Sequence, residues 1–231
     1  VAWFAVYPNF WLHIGLVGVC LGVLVLFAEG LNRFTSTGSE TVRKVVHIGT
    51  GNIILLAWWL QIPTWVCIAA SIVASAIALL SFFIPFLPGI NSVGRKSLGT
   101  FFYAVSIGVL TAWFWSQRQY EYAALGILVM TWGDGLAALI GQRFGKHHYK
   151  VWGIQKSLEG SLAMFVSSYI VSSSIWLAVQ GNVWQTWLLP VAIAACATAL
   201  EAFSILGIDN LTVPIGSAAI GFFLNQLFPL Q

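Results

Sequence analysis

Charged side chains are nearly absent from this chain: ten Lys or Arg and seven Asp or Glu in 231 residues, 7% of the total. A soluble domain carries about a quarter, so a water-facing globule is a poor reading. Cysteine is sparse too. Cys20, Cys67 and Cys196 are dispersed in apolar runs without a C-x-x-C pair, which argues against a disulfide scaffold or a thiolate metal site and reads them as small buried hydrophobes. There is no Walker A loop and no protein-kinase motif set. Internal repeats, low-complexity tracts and linkers are missing, so residues 1–231 read as one domain. No cleavable signal or transit pattern is visible. The net charge of +3 is too modest for a nucleic-acid surface and reflects an asymmetry between loops.

What fills the chain is apolar: 59% hydrophobic residues and a mean hydropathy of +0.88. The apolar runs are roughly 17–25 residues long, the length a helix needs to cross a bilayer. Eight spans are expected, at approximately 11–30, 45–62, 64–84, 98–116, 122–142, 157–179, 184–205 and 212–228, giving an all-α polytopic membrane bundle. With eight spans, Arg33, Arg43 and Lys44, then Arg95 and Lys96, then Arg143, Lys146, Lys150 and Lys156 share one face, and Arg118 lies on the other. The positive-inside rule makes the charged face cytoplasmic. Trp3, Trp11, Trp58, Trp59, Trp65, Trp113, Trp115, Trp176, Trp184 and Trp187 fall at the opposite ends of the spans; Trp132 and Trp152 do not. Aromatic belts form at both interfaces, so this skew leaves the charged face for something else.

Six of the seven acids, Glu29, Glu40, Asp134, Glu159, Glu201 and Asp209, fall toward that face, and Glu121 sits beside Arg118. Asp134, Glu159 and Glu201 are placed inside spans, where a carboxylate costs a few kcal/mol unless it works or pairs. Acids beside bases suit a metal–polyphosphate site: carboxylates hold Mg²⁺, and Mg²⁺ with Lys and Arg holds phosphate oxygens. Asp134, Ala138, Gly141 and Gly145 share a helix face, open either to a ligand or to a packing partner; Gly18 and Gly22 read as a packing stripe of the same kind. Lys156 and Glu159, three apart, are expected to share a helix face and pair, with Ser157 as N-cap at a helix end suited to phosphate. Arg43, Lys44 and His47 form a further face, with His47 a turn into the membrane edge as an anion contact or a packing residue. His147 and His148 read as solvated. Asp209-Asn210, ahead of Pro214, is an ordinary turn signal on the same face as Glu201.

Together, Arg43-Lys44-Val45-Val46-His47, Gly133-Asp134-Gly135 through Gly141 with Gly145, Lys156-Ser157-Leu158-Glu159-Gly160-Ser161, Glu201, and Asp209-Asn210 with Pro214 resemble the polyprenol kinase family. That family includes phytol and farnesol kinases, dolichol kinase and the CTP-dependent diacylglycerol kinase of yeast. The likeness covers roughly residues 40–220, and the compact chain looks most like the phytol kinases of cyanobacteria and plastids. It implies a membrane kinase that phosphorylates an isoprenoid alcohol from a nucleoside triphosphate, commonly CTP, with Mg²⁺, in a bacterial plasma or thylakoid membrane. On this expectation Asp134, Lys156 and Glu159 are catalytic. Arg43, Lys44, His47, Arg95, Lys96, Gly141, Gly145 and Ser157 contact nucleotide or phosphate. Asp134, Asp209, Glu201 and Glu159 are the metal candidates; the general base stays open among Glu159, Asp134 and His47. The alternatives are a CDP-lipid synthase, whose carboxyl-terminal pattern is not found here, and a small-solute transporter, which predicts polar groups at the bilayer midplane.

Overall fold

The computed structural model describes residues 9–34, 39–83 and 98–229. Arg95 and Lys96 lie outside them. Among the described residues eight α-helices follow one another: α1 Phe10–Phe34, α2 Ser39–Trp59, α3 Thr64–Phe83, α4 Gly99–Phe114, α5 Tyr120–Phe144, α6 Leu158–Gln180, α7 Trp184–Ala202 and α8 Asp209–Leu227. Between α5 and α6 runs a two-stranded antiparallel hairpin, β1 His148–Val151 and β2 Ile154–Ser157. The architecture is the expected all-α polytopic bundle, and among the described residues the hairpin is the one addition to it. Among the described residues six helices, all but α2 and α8 and with α4 taken on to Gln117, are long and apolar enough to cross a membrane. The two exceptions are diluted by Arg43, Lys44, His47 and Asn52 in α2 and by Asp209, Asn210, Ser217 and Asn225 in α8.

Short connections fix the up-and-down order. Gln61 takes a positive φ of 51° and Pro63 stands just ahead of α3, where a missing N–H is harmless. The Trp115 indole N–H donates to the Ile62 carbonyl at 2.8 Å, tying this turn to the end of α4. Arg118, at φ 59°, turns the chain into α5. Gly181 closes α6 at φ 79°, a conformation that favours glycine.

α5 is the central staff. It packs against α2, α4, α6 and α8, and its stretch from Tyr122 to Thr131 is buried throughout. Leu110, Phe114, Leu125, Ile127, Met130, Met164, Ile193 and Val213 fill the core around it. α1 packs chiefly along α2, through Leu24 against Gly49, and Phe10 at its start stacks on Trp65 of α3 with ring centroids 6.0 Å apart. A Cβ at Gly18 or Gly22 would meet no atom within 4 Å, so these two glycines do not form the packing stripe expected of them: they face away from the bundle. An apolar groove of about 540 Å³ separates the starts of α1 and α3, lined by Phe10, Trp11, Ile14, Trp65 and Ala69. It lies at the tryptophan-rich end, away from the charges.

Helix direction separates the faces as the charges did. Arg33 closes α1, Arg143 closes α5, Lys44 lies in the second turn of α2, and Lys156 lies just before α6. Cysteines introduced at Lys146 and at Gln117, in a variant lacking the three native cysteines, are expected to react with a membrane-impermeant maleimide from opposite sides of sealed vesicles. Reaction from the same side would overturn the alternation.

Candidate active site

Asp134 sits in α5 between two glycines, and the glycines explain how it is reached from two sides. A Cβ at Gly133 would fall 2.9 Å from Met164 Cε and 3.2 Å from Ser168 Oγ of α6; one at Gly135 would fall 2.8 Å from Ile48 of α2. Only residues without a side chain let both helices close on the carboxylate. α2 runs antiparallel to α5, so its first turns bring cations to the same place. Lys44 Nζ forms a buried ion pair with Asp134 Oδ2, and His47 Nε2 lies 3.8 Å from the same oxygen. Arg43 adds its charge to the field at Asp134 and His47. The expected Arg43–Lys44–His47 face is thus aimed at an acid of α5.

One turn deeper is a polar layer that the sequence did not single out. The Tyr103 hydroxyl of α4 hydrogen-bonds Thr131 Oγ1 at 2.9 Å, and its ring lies 4.4 Å from that of His47. No motif marked Tyr103, because its partners come from other helices.

The second ion pair differs from expectation. Lys156 is on β2, before the helix begins, so the i to i+3 geometry that would pair it with Glu159 does not apply. Its ammonium instead donates to Glu201 Oε1 at 2.5 Å and to the Glu201 backbone carbonyl. Glu159 turns outward to His147, whose Nδ1 is 2.7 Å from Oε1. His147 is therefore exposed but not merely solvated: with its own N–H donating to Glu159, it clips the hairpin to α6. Tyr149 and Ser161 make a second clip at 2.6 Å. Ser157 is the N-cap foreseen, its Oγ accepting the Gly160 N–H at 3.1 Å.

Gly141 and Gly145 face α6 rather than an opening. A Cβ at Gly141 would lie 3.1 Å from Ser157 Oγ and 3.5 Å from Gly160 Cα; one at Gly145 would lie 2.9 Å from Ser157 Oγ. Close packing accounts for both, and with Ser157 they shape the site from behind.

Asp209 opens α8, where its backbone N–H donates to Ser204 Oγ at 2.8 Å and its Oδ1 accepts the Asn210 N–H at 3.1 Å. Its carboxylate feels Asp134, Lys44 and Lys156 together, and Glu201 feels Asp134 and Asp209. Three acids from α5, α7 and α8 and two lysines from α2 and β2 therefore share one electrostatic neighbourhood; Glu159 stays at its rim. Among the described residues no three His, Cys, Asp or Glu side chains form a ready metal-ligand set. Mg²⁺ does not require one: it binds through one or two carboxylates plus substrate phosphates. Asp134 and Asp209 have the right hard-oxygen chemistry for a cation arriving on a nucleotide.

No protein-family model matches the sequence, and no solved structure matches it. Among curated proteins, the phytol kinase of Synechocystis is 49% identical over 218 residues, covering 94% of this chain and 94% of that protein. The chain belongs to the phytol kinase family. Phytol kinase 1 of Arabidopsis thaliana is 28% identical over 92% of the chain and 77% of its own length, and a probable phytol kinase of Glycine max is 28% identical over 91% and 75%. Membership in this family agrees with the resemblance carried by the Arg-Lys-x-x-His, Gly-Asp-Gly and Lys-Ser-x-Glu-Gly stretches. It also sets aside the transporter reading.

Proposed function

We propose that this protein transfers the terminal phosphoryl group of a nucleoside triphosphate, CTP by family resemblance, to the hydroxyl of phytol. The observation that carries the proposal is the gathering of Lys44, Lys156, Asp134, Glu201 and Asp209 at one end of an otherwise apolar bundle. A lipid alcohol lies in the bilayer with its hydroxyl at the interface, and a nucleotide comes from water. The two can meet only at such an end.

Phosphoryl transfer needs positioning and charge neutralisation more than covalent help. Lys44 and Lys156 are already held by carboxylates, so incoming phosphates compete for the same ammonium groups. As each lysine turns to phosphate, its carboxylate is released. Asp134 and Asp209 would then hold Mg²⁺, which when bound neutralises charge on the phosphate oxygens. Glu201, with its backbone carbonyl also on Lys156, sets where that lysine can return. Arg43 adds positive potential, and the capped N-terminus of α6 lies beside Lys156. We read this side as cytoplasmic, a reading supported by its excess of Lys and Arg.

The test is direct. Purified protein in lipid nanodiscs, given terminally labelled CTP, ATP, GTP or UTP with phytol, geranylgeraniol, farnesol or diacylglycerol, is expected to make phytyl phosphate and a nucleoside diphosphate. A CDP-lipid with pyrophosphate would indicate the cytidylyltransferase reaction instead, and no product with any alcohol would end the kinase reading.

A further inference from the structure

We infer that His47 receives the hydroxyl of the lipid alcohol and orients it for attack; this rests on the kinase reading above. Its Nε2 is buried and has no hydrogen-bond partner. A neutral imidazole with its proton on Nδ1 presents a lone pair at Nε2. Across the site Asp134 Oδ2 lies 3.8 Å from it, and a carboxylate oxygen is also an acceptor. Once Lys44 turns from Asp134 to phosphate, two acceptors face each other and call for a donor between them, and an alcohol O–H supplies one.

Depth selects the lipid hydroxyl over the nucleotide. His47 stands three residues further into the bundle than Lys44, above the buried Tyr103–Thr131 pair and with its ring against that of Tyr103. Phosphates drawn to Lys44 and Arg43 stay on the aqueous side; a hydroxyl on an apolar chain comes from below. Lys44 occupies the same Asp134 oxygen that faces Nε2, so a nucleotide that draws Lys44 away opens the space beside His47. Nucleotide should therefore bind first. In the reaction the alcohol oxygen bonds to the terminal phosphorus while the P–O bond to the nucleoside diphosphate breaks and leaves with its electron pair. The hydroxyl proton passes along its hydrogen bond to Nε2 and from there to water as products depart.

The experiment uses the full chain in nanodiscs with His47→Phe, which keeps a ring against Tyr103 but has no acceptor, and His47→Gln, which restores a polar acceptor. Kinetics are measured for phytol and for the nucleotide, with equilibrium binding of labelled nucleotide as a separate readout. His47→Phe is expected to lower kcat/KM for phytol by about 10–100-fold while nucleotide binding stays within about twofold, and His47→Gln should recover part of the loss. Unchanged phytol kinetics in His47→Phe would overturn the assignment, as would a loss confined to nucleotide binding, which would make His47 a phosphate contact. If the wild-type protein binds nucleotide but phosphorylates no alcohol, the kinase reading itself falls and this one with it.

Discussion

Asp134→Asn is expected to lower lipid-phosphate formation by about 10²–10⁴-fold, the range for removing a group that organises charge at a transferring centre. The substitution keeps the shape between Gly133 and Gly135 and leaves an oxygen toward Lys44, so the bundle should still form. What it removes is the negative charge on which Lys44 rests and toward which His47 is aimed. Turnover in nanodiscs, with gel filtration and thermal unfolding as checks on folding, measures it. Near-normal turnover in a folded Asp134→Asn protein would take this carboxylate out of the chemistry.

The second large effect separates charge balance from catalysis at the other lysine. Lys156→Met should remove a phosphate contact and leave Glu201 buried without its cation. Breaking such a pair on one side costs up to about 3–5 kcal/mol. Adding Glu201→Gln removes the stranded charge, so the double variant should regain most of the thermal stability lost. It should not regain activity, which is expected to stay down by about 10²-fold or more. Recovery of activity along with stability would make Lys156 a structural lysine only.

The two lysines illustrate what a sequence can and cannot disclose. Lys44 was readable because its neighbours are local: Arg43, Lys44 and His47 share a helix face by spacing alone, and Asp134 was conspicuous as an acid within an apolar helix. Glu201 could be named as an acid near the same membrane face, but its pairing with Lys156 spans 45 residues and a chain reversal between two helices, so no periodicity points to it. The misassigned Lys156–Glu159 pair has a definite cause. The residues before Ser157 form a strand, and helical spacing does not hold across the junction.

That strand was hidden for its own reason. Each arm of the hairpin has four residues, and the turn is Trp152-Gly153, both at positive φ, rather than an Asn-Gly or Asp-Gly signal. In a polar segment between two long apolar runs, such short arms give no distinct alternation. The eight helices were plain because bilayer thickness sets their lengths, and their packing around α5 follows from small residues: Gly126 against Pro214 and Ala218, Gly133 against Met164, Gly160 against Ala137. The glycines at 141 and 145 could be read either as a ligand surface or as packing, and only the position of Ser157 distinguishes them.

The sequence separation of the two ion pairs also sets a clock on biogenesis. Lys44 enters the membrane edge 90 residues before its partner Asp134 exists. At ribosomal rates of about 5–20 residues per second, that leaves α2 without its counter-charge for on the order of 5–20 s. During that interval its cationic end must stay with water and lipid headgroups, and only the arrival of α5 allows it to settle. Lys156 waits half as long, 45 residues, for Glu201. The charged cluster is thus assembled in chain order and completed when α7 and α8 close over α5, so a nascent chain released before α7 would hold both lysines and Asp134 but not Glu201 or Asp209.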